Sequence, residues 1–476
     1  MMRQRKTFFT ENAPGAIALL SKRIHFVGIG GIGMSGIAAI MMKQGYRVSG
    51  SDIKESLITG KLSSLGIKVR LGHDASYISD AEIVVYSSAV REDNPELQAA
   101  KAKGLRILKR AEALAQLMRD KASIAISGAH GKTTTCGLTG HLLLQAGFSP
   151  TVAIGGILRN IGDNSCLGKS NFFVAEADES DGTFLYYHPD YSIVTNIDRE
   201  HLDFYKNWQD ILSAYKKFIS HTRDGGCLFC CGDDPAIRSI TRGYKKRMLY
   251  FGLSGENDFY PRNLLLNEFS SIFDCYYRDG FIARMHLPLA GRHNISNSLA
   301  VIALGLELGI KPRRIEEALD SFKGTERRFQ LKARVNGIKL IDDYGHHPTE
   351  LRATLEAARN ITHKRLLVVF QPHRFSRTKF LMHEFAESLS LADCIILTDI
   401  YAASEEPIQG VSSEVLRDKI KEKHPQAEVI YVKKEKVIER LLSIVGSGDL
   451  VLTVGAGDIG KLSDELAERI KSQNTF

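Results

Sequence analysis

Short apolar runs alternate with stretches of helical periodicity along most of the chain, and the alternation falls into three segments. In the first segment an apolar run at 23–27 enters a glycine-rich turn and continues into an apolar helix over 34–44. Further short strands are predicted at 46–50, 83–86 and 107–108. Alternating strands and helices are typical of α/β domains that are built on mostly parallel sheets.

The second and third segments repeat this alternation. An apolar run at 122–127 opens the second segment and meets another glycine-rich loop, and a strong helical pattern covers 294–308. We therefore predict three α/β domains, over residues 1–120, 121–330 and 331–476. In the third we predict strands at 337–342, 366–370, 394–398, 429–432 and 450–454 and helices at 376–390 and 412–423.

The composition is that of an ordinary globular protein, with 43% hydrophobic and 25% charged residues among 476. The formal net charge of +8 fits either a nucleic-acid or membrane partner or a set of sites for phosphorylated small molecules. The lysines and arginines are spread along the chain and form no long basic block. This spread favours small-molecule substrates, with neither nucleic acid nor a membrane as a partner.

The chain carries no clear signal for export, which predicts a cytoplasmic location. No apolar stretch reaches the ~20 residues that span a bilayer, and the basic residues 1–10 are not followed by a signal-peptide core and cleavage site. Seven cysteines, an odd number, argue against a disulfide framework. A C-x-x-C spacing like that of metal sites occurs among Cys227, Cys230 and Cys231. No second cysteine pair lies nearby to complete four ligands, so we interpret 227–231 as a buried strand.

The second glycine-rich loop, Gly128–Thr134, has the strongest chemical signal in the chain. It follows a strand and precedes a helix predicted over 135–145, a setting in which backbone amides and a helix N-terminus bind phosphate oxygens. Lys132 can reach the β- and γ-phosphates of a nucleotide, and the Thr133 hydroxyl can bind Mg²⁺. The loop is a shortened G-x-x-G-K-T form, because the general Walker pattern would place glycine at position 126, which is Ile126. We predict an ATP-consuming enzyme.

Acidic and imidazole side chains follow the next two predicted strands. The strand at 172–175 leads into an acidic cluster over 176–181, and the strand at 191–195 leads into Asn196–Asp203, which contains His201. Ligands of parallel sheets bind beyond the carboxyl ends of the strands, so both clusters should face the loop. Oxygen donors with one imidazole suit Mg²⁺ or Mn²⁺.

The first glycine-rich loop, Gly28–Gly33, has the spacing of a dinucleotide fingerprint, with Asp52 near the expected distance. Taken alone the loop suggests NAD as its ligand. Any nucleotide diphosphate satisfies the same backbone geometry, however, so a UDP-linked substrate is an equally suitable ligand. A similar run, Gly455–Gly460, we interpret as close packing of a helix on a strand.

The third segment holds two polar clusters after apolar strands. Asp342–Glu350 follows the first strand, and Gln371–Arg377 follows the second. Arg374 and Arg377 stand three residues apart at a strand end, which suits recognition of a carboxylate or a phosphate.

Taken together, the motifs resemble those of the Mur ligase family, the ATP-dependent ligases that build the peptide of peptidoglycan precursors. The third segment's clusters and Gly28–Gly33 are similar in particular to the branch that adds L-alanine to UDP-N-acetylmuramate. The resemblance implies a Rossmann-like N-terminal domain for the UDP-sugar, a central P-loop ATPase-type domain on a mostly parallel sheet, and a Rossmann-like C-terminal domain for the amino acid. It is carried by Gly128–Thr134, Glu176–Asp181, Asn196–Asp203, Gly291–Asn297 and Arg327–Phe329.

The resemblance also implies roles for individual residues. Lys132, His201 and Arg328 would be catalytic. Thr133 and Glu176 would hold one Mg²⁺ ion and His201 a second. ATP would be bound by Gly128, Ala129, His130, Gly131, Lys132, Thr133, Thr134, His293, Asn294, Arg328 and Asp343. The UDP-sugar would be bound by Gly30, Gly31, Ile32, Gly33, His73 and Ser88, and L-alanine by Tyr344, His346, Arg374 and Arg377.

Some alternatives stay open. Asn297 belongs either to the nucleotide site or to helix packing. Many relatives use a carbamylated lysine, for which Lys216 and Lys217 are the nearest candidates, although the alanine-adding branch generally lacks it. The rival functions are a murein-tripeptide ligase of the same family, an NAD-dependent dehydrogenase built on Gly28–Gly33, and a regulatory ATPase without ligase chemistry.

Overall fold

The computed structural model describes residues 22–201 and 204–472. The basic segment 1–10 and the pair 202–203 of the predicted metal motif lie outside these ranges. The described residues fold into α/β domains on three sheets, most of whose strands are parallel, so the predicted fold class is confirmed. By their contacts they group into two compact units, one ending at Leu117 and including Asn164–Leu167, the other holding the rest. The boundaries at 120 and 330 stay predictions.

The first unit is built on a parallel five-stranded sheet in the order β3-β2-β1-β4-β5. The strand order reverses between β1 and β4, the point at which open α/β sheets bind ligands. Its elements are β1 Arg23–Val27, α1 Ile32–Lys43, β2 Arg47–Asp52, α2 Leu57–Ser64, β3 Lys68–Leu71, β4 Ile83–Tyr86, α3 Pro95–Ala102, β5 Arg106–Lys109 and α4 Arg110–Met118.

The central region has a sheet that runs β15-β14-β13-β12-β11-β10-β6-β9-β7, with parallel pairing around β6 and antiparallel pairing from β13 to β15. Helix α5 packs on β6, β7 and β9, and helix α8 packs on β11, β12 and β13. Its elements are β6 Ala122–Ser127, α5 Lys132–Gln145, β7 Thr151–Leu158, β8 Asp163–Cys166, β9 Phe172–Glu176, β10 Tyr191–Val194, α6 Trp208–Ser220, β11 Cys227–Cys231, α7 Pro235–Ile240, β12 Met248–Phe251, β13 Phe259–Leu266, β14 Ser271–Tyr277, β15 Gly280–Leu287, α8 Arg292–Glu307 and α9 Pro312–Asp320.

The C-terminal region has a six-stranded sheet, β16-β17-β21-β18-β19-β20, in which β16 alone runs antiparallel to its neighbour. Its elements are β16 Gln330–Val335, β17 Ile338–Asp343, α10 Pro348–Arg359, β18 Leu366–Phe370, α11 Phe375–Phe380, α12 Met382–Leu389, β19 Cys394–Leu397, α13 Ser413–Lys423, β20 Glu428–Tyr431, α14 Val437–Ile444, β21 Leu450–Val454 and α15 Ile459–Ser472.

One predicted helix is wrong. The stretch predicted as a single helix over 376–390 forms α11 and α12, because Leu381 leaves the helical region with φ −115° and ψ 21°. The amide of Leu381 still bonds to the carbonyl oxygen of Arg377 at 3.0 Å, so the chain bends there without losing that bond.

Apolar strands that are buried on both faces form the cores. All five residues of β11 and all five of β18 are buried, as expected for parallel strands covered by helices. The prediction that 227–231 is a buried strand is therefore confirmed. At Gly455 a Cβ atom would lie 2.7 Å from the backbone oxygen of Gln371, directly after β18, so the chain passes close to the neighbouring strand end there. No helix of the described residues is long and apolar enough to cross a membrane.

Candidate active site

The predicted phosphate loop joins β6 to the first residue of α5. Gly128 and Gly131 have φ of +137° and +82°, in the region that favours glycine. Helix α5 begins at Lys132, directly after Gly131, so its positive N-terminal end lies within the loop. Asn196 fastens the loop from the end of β10. Its carbonyl oxygen accepts the amide hydrogen of Ala129 at 3.2 Å, and its side-chain oxygen accepts that of His130 at 2.8 Å. The loop is held in a conformation suited to phosphate.

The Lys132 ammonium group lies against the loop and a buried carboxylate. It donates to the Gly128 carbonyl oxygen at 2.6 Å and to the two Glu179 oxygens at 2.8 and 2.9 Å. Burial lowers its pKa, but the carboxylates of Glu179, Asp178 and Glu200 outweigh burial and keep the pKa above its ordinary value. Burial raises the pKa of Glu179 to about 7, against the opposing effect of Lys132. Lys132 is therefore a cation at neutral pH, placed where a phosphate would meet the loop.

Oxygen donors that could hold a metal ion lie beside Lys132. The Thr133 hydroxyl is 3.3 Å from a Glu176 oxygen, which brings these two predicted ligands together. Asp178, Glu179 and His201 each offer one ligand atom, and these atoms lie within 4.8 Å of one another. An oxygen-rich donor set with one imidazole fits Mg²⁺.

His201 adopts a left-handed backbone conformation, with φ +55°. Its Nε2 atom lies 3.9 Å from a Glu179 oxygen and 3.8 Å from a Glu200 oxygen. The candidate carbamylation sites Lys216 and Lys217 are exposed on α6.

A cavity of about 600 Å³ opens beside the loop, within the size range of small-molecule sites. Trp208, Pro235 and Ala236 give it an apolar part. The predicted loop residues Gly128, Ala129, Lys132 and Thr133 are not in its lining. The predicted nucleotide residues that line it are His130, Gly131, Thr134, His293, Asn294, Arg328 and Asp343.

The far wall of this cavity carries polar side chains from α8 and β17. Both Asp343 oxygens accept backbone hydrogen bonds, from Phe329 at 2.7 Å and from Gly345 at 2.8 Å. Burial, together with the nearby Arg328 cation, lowers the pKa of His293 to about 4, so this imidazole is neutral at pH 7. Asn297 also lines the cavity, and a Cβ atom at Gly131 would lie 2.6 Å from its oxygen, so Asn297 touches the loop directly.

His130 connects the loop to α10. Its Nε2 atom is 2.8 Å from an Asp198 oxygen, and its Nδ1 atom is 3.3 Å from a Glu350 oxygen. The same Asp198 oxygen accepts a hydrogen bond from the Thr349 hydroxyl at 2.7 Å. Burial lowers the pKa of His130, but the hydrogen bonds to Asp198 and Glu350 outweigh it and raise the pKa to about 10. A charged imidazole thus ties the phosphate loop to the C-terminal region.

A second, much smaller cavity of about 30 Å³ lies between the end of β10 and the start of α11. Two of the residues predicted to bind L-alanine, Arg374 and Arg377, line it. The other two, Tyr344 and His346, do not. His346 lies 4.0 Å from a Glu200 oxygen, and Tyr344 lies beneath the guanidinium groups of two arginines. The full lining is Arg199, Glu200, His201, His347, Arg374, Ser376, Arg377, Phe380 and Leu381.

The first unit contains the other glycine-rich loop. A Cβ atom at Gly30 would lie 2.8 Å from the Asp52 carboxylate, which accepts the Gly30 amide hydrogen at the same distance. Gly31 caps the helix that begins at Ile32, and Gly33 lies in its first turn. Ser88 lies in the exposed turn after β4. All of them lie at the carboxyl edge of the sheet.

His73, at the end of β3, is tied into a buried polar cluster. Its Nδ1 atom is 2.6 Å from a Glu96 oxygen, and the other Glu96 oxygen is 2.6 Å from His25. Ser51 also donates to Glu96 at 2.7 Å. Glu96 is fully buried, and burial raises its pKa, but the bonds from His25, Ser51 and His73 outweigh burial and lower it. The cluster holds the His73 ring in place at the edge of the sheet.

The sequence motifs contain several site residues that residue-by-residue reasoning did not single out. Their positions after strands β9, β10 and β17 were the available signal, since strand ends meet at one edge of the sheet. Which side chains pair there depends on the tertiary fold. These residues are Asp198, Glu200, His347, Thr349 and Glu350, whereas Glu179 was predicted as a member of the acidic cluster over 176–181.

Three family models match the chain in succession. Residues 23–122 match the Mur ligase family catalytic domain, residues 126–305 the Mur ligase middle domain, and residues 327–457 the Mur ligase glutamate ligase domain. Together they cover most of the described residues.

Individual relatives agree with these models. The chain is 47% identical over 451 residues to a UDP-N-acetylmuramate–L-alanine ligase of Geotalea daltonii, covering 94% of this chain and 98% of the relative. The structure of the UDP-N-acetylmuramate–alanine ligase of Thermotoga maritima is similar with a TM-score of 0.81 and 31% identity, covering 95% of this chain and 100% of that one. A murein peptide ligase of Psychrobacter arcticus shares the fold, with a TM-score of 0.71, 22% identity and coverage of 95% and 98%.

Proposed function

The chain belongs to the Mur ligase family, and we propose that it joins L-alanine to the lactyl carboxylate of UDP-N-acetylmuramate while ATP is split to ADP and phosphate. This reaction is a step in the synthesis of peptidoglycan precursors. The relatives that share 43–47% of its residues over nearly the whole chain are named for this activity. ATP is the energy source, as it is throughout this ligase family.

The observation that carries the proposal is the meeting of three features in one unit. The Lys132 loop, the acidic ends of β9 and β10, and the small cavity with Arg374 and Arg377 are all joined through Glu200 and His201. A dehydrogenase or a simple ATPase would need no arginine-lined cavity beside its phosphate loop.

The chemistry proceeds in two balanced steps. A lactyl carboxylate oxygen attacks the γ-phosphorus of ATP, the bond to the β-phosphate oxygen breaks, and ADP leaves. The ammonium group of L-alanine gives up a proton to solvent, and the free amino group then attacks the acyl carbon of the acyl phosphate. Inorganic phosphate leaves, and the nitrogen loses a second proton as the amide forms. Lys132 and the loop amides stabilise the charge of the transferring phosphoryl group, since phosphoryl transfer depends chiefly on positioning and electrostatics.

Thr133 and Glu176 would hold one Mg²⁺ ion, and His201 a second. Their donor set fits this hard cation, as argued above from the oxygens beside Lys132. When bound, Mg²⁺ neutralises phosphate charge. Arg328, which lines the larger cavity, would contact the nucleotide there together with His293, Asn294 and Asp343.

The glycine loop of the first unit, with His73 and Ser88, would bind the UDP-sugar. The carboxyl edge of its sheet offers loop amides at a helix start, which suits a pyrophosphate. We also propose a cytoplasmic location, because ATP and UDP-linked sugars are cytoplasmic metabolites.

The rival reaction, attachment of a murein tripeptide, is disfavoured by the lining of the second cavity. Arg374 and Arg377 suit the carboxylate of a single amino acid. The relatives that match the chain at 43–47% identity are also named UDP-N-acetylmuramate–L-alanine ligase.

A phosphate-release assay distinguishes the L-alanine ligase from the rival functions. We expect the purified protein with UDP-N-acetylmuramate and Mg-ATP to release phosphate when L-alanine is added, and mass spectrometry to find the alanyl product. Release with the tripeptide alone would show the rival ligase. Phosphate release that does not depend on any amino acid would show an ATPase. Tight NADH binding that the UDP-sugar does not affect would support the dehydrogenase.

A further inference from the structure

Glu200 is a buried carboxylate that lines the small cavity. It follows β10, immediately before His201, and only 7% of its surface is exposed. Among the described residues that line this cavity, it carries the one carboxylate, whereas Arg199, Arg374 and Arg377 supply positive charge. The cavity lining therefore offers a carboxylate as well as guanidinium groups.

One oxygen of Glu200 lacks a hydrogen bond. No described residue donates a hydrogen bond to Oε1, although that atom is buried. The nearest basic side chains, Arg377 and His346, lie at 3.9 and 4.0 Å, beyond hydrogen-bond distance. A buried carboxylate oxygen is costly without a donor, so a donor is expected from whatever enters the cavity.

Neighbouring carboxylates do not share this property. Each has a donor at hydrogen-bond distance, so none of them needs a ligand to complete its contacts. The pairs are Glu179 with Lys132 at 2.8 Å, Asp198 with Thr349 at 2.7 Å, and Glu405 with Ser376 at 2.6 Å.

We propose that Glu200 binds the α-ammonium group of the incoming L-alanine. This assignment rests on the proposed function, which supplies a zwitterion with one cationic and one anionic group. The arginines bind the carboxylate, and the ammonium group donates to the unsatisfied oxygen of Glu200. Because the ammonium and carboxylate groups of an α-amino acid are attached to one carbon atom, a single molecule can reach both Glu200 and Arg377, which line the same cavity and whose facing atoms lie 3.9 Å apart.

Glu200 consequently selects against molecules of the same shape that lack the ammonium group. L-Lactate has a hydroxyl where L-alanine has its ammonium group, and otherwise matches it. A site built to bind a charged donor discriminates strongly against an analogue that cannot provide it. The ratio of the L-lactate inhibition constant to the KM for L-alanine measures this selection.

The test is the isosteric variant Glu200→Gln, with Glu356→Gln on the exposed face of α10 as the matched control. We expect Glu200→Gln to raise the KM for L-alanine about 30-fold, because a hydrogen bond to a charged group contributes that much. The KM values for ATP and UDP-N-acetylmuramate should stay within about threefold, and the lactate-to-alanine ratio should fall about 30-fold. Glu200→Asp, which keeps the charge, should retain part of the selectivity.

Other outcomes overturn the proposal in distinguishable ways. An unchanged lactate-to-alanine ratio in Glu200→Gln would remove the ammonium contact. A parallel rise of all three KM values would show a structural role. A shifted Mg²⁺ requirement with an unchanged KM for L-alanine would assign Glu200 to the metal. If the unmodified protein consumes no L-alanine, the proposed function fails first.

Discussion

The chain's two glycine loops occupy the same position in their sheets and differ in the side chains around them. Each joins the end of a central parallel strand to the start of a helix, Gly28–Gly33 after β1 and Gly128–Gly131 after β6. The first has the Asp52 carboxylate bonded to the Gly30 amide. The second has the Lys132 ammonium group bonded to Glu179, beside Thr133 and further acidic side chains.

The difference shows that a glycine loop by itself supplies binding and not chemistry. Loop amides at a helix start attract the oxygens of any phosphate. Phosphoryl transfer also needs a cation that offsets developing charge and donors that can hold a metal ion. Lys132 at the start of α5 supplies the cation, and Thr133 with the end of β9 supplies metal donors, whereas Gly28–Gly33 is flanked by a carboxylate and the His73 cluster. We therefore expect the first loop to bind a substrate and the second to bind the reacting phosphate.

The largest effect should come from Lys132→Ala. Loss of this cation should lower kcat about 1,000-fold, as removal of one well-placed electrostatic contact does. Binding of UDP-N-acetylmuramate, measured by calorimetry, should stay within about threefold of the unmodified protein, because its proposed site belongs to the first unit. Lys245→Ala, at an exposed position between α7 and β12, is the control. If Lys132→Ala also abolished UDP-sugar binding, the division of labour between the loops would be wrong.

Glu176→Gln should lower kcat about 100-fold and raise the Mg²⁺ concentration needed for half-maximal activity. The amide keeps the shape of the carboxylate but removes the charge beside Thr133. The measurement is a Mg²⁺ titration of alanine-dependent phosphate release, and the 100-fold figure follows the usual cost of changing a metal-site partner. A reduced kcat with an unaltered Mg²⁺ titration would show that Glu176 acts in another way.

Alanine substitutions in the two loops should each raise the KM for a different nucleotide substrate. Gly131→Ala places a Cβ atom 2.6 Å from Asn297 at φ +82°, so we expect the KM for ATP to rise about tenfold. Gly30→Ala places one 2.8 Å from Asp52, and the KM for UDP-N-acetylmuramate should rise about tenfold instead. Steady-state kinetics with each substrate varied in turn checks both. Equal effects of the two variants on ATP would erase the contrast.

The smallest effect concerns pH and stability at His130. Its pKa in the folded protein is about 10, above the ordinary 6.5, so its stabilisation is fully present below pH 6.5 and disappears as the pH rises through 10. His130→Gln should therefore melt about 3 °C lower than the unmodified protein near pH 6, and the gap should close towards pH 10. Scanning calorimetry at several pH values measures the gap. A gap that widens with pH would contradict the ion pair with Asp198.

Much of the fold could be predicted because several strands are continuous apolar runs. β4, β6, β18 and β21 begin and end at the predicted residues, since parallel strands that are covered on both faces are mostly apolar and stand out from the polar turns beside them. The bend at Leu381 could not be predicted, because it depends on one residue's backbone within an unbroken helical pattern.

The site could be located but not fully resolved. Strand-end position brought the acidic clusters to the right edge of the sheet. The partners themselves are far apart in the chain: Thr349 meets Asp198 across 151 positions, and His73 meets Glu96 across 23. No local pattern carries such pairings. Glu200 was missed for the same reason, since its lack of a donor is a property of the folded cavity.

The γ-phosphoryl group bound by the Lys132 loop is expected to pass to the muramate carboxylate. The transfer of carboxylate oxygen to the released phosphate tests this most directly. UDP-N-acetylmuramate with ¹⁸O in both lactyl carboxylate oxygens is incubated with ATP and L-alanine, and the phosphate is analysed by mass spectrometry. We predict that the released phosphate carries one ¹⁸O atom and that the new amide keeps the other. Amide formation with unlabelled phosphate would contradict the acyl phosphate and the role assigned to the loop.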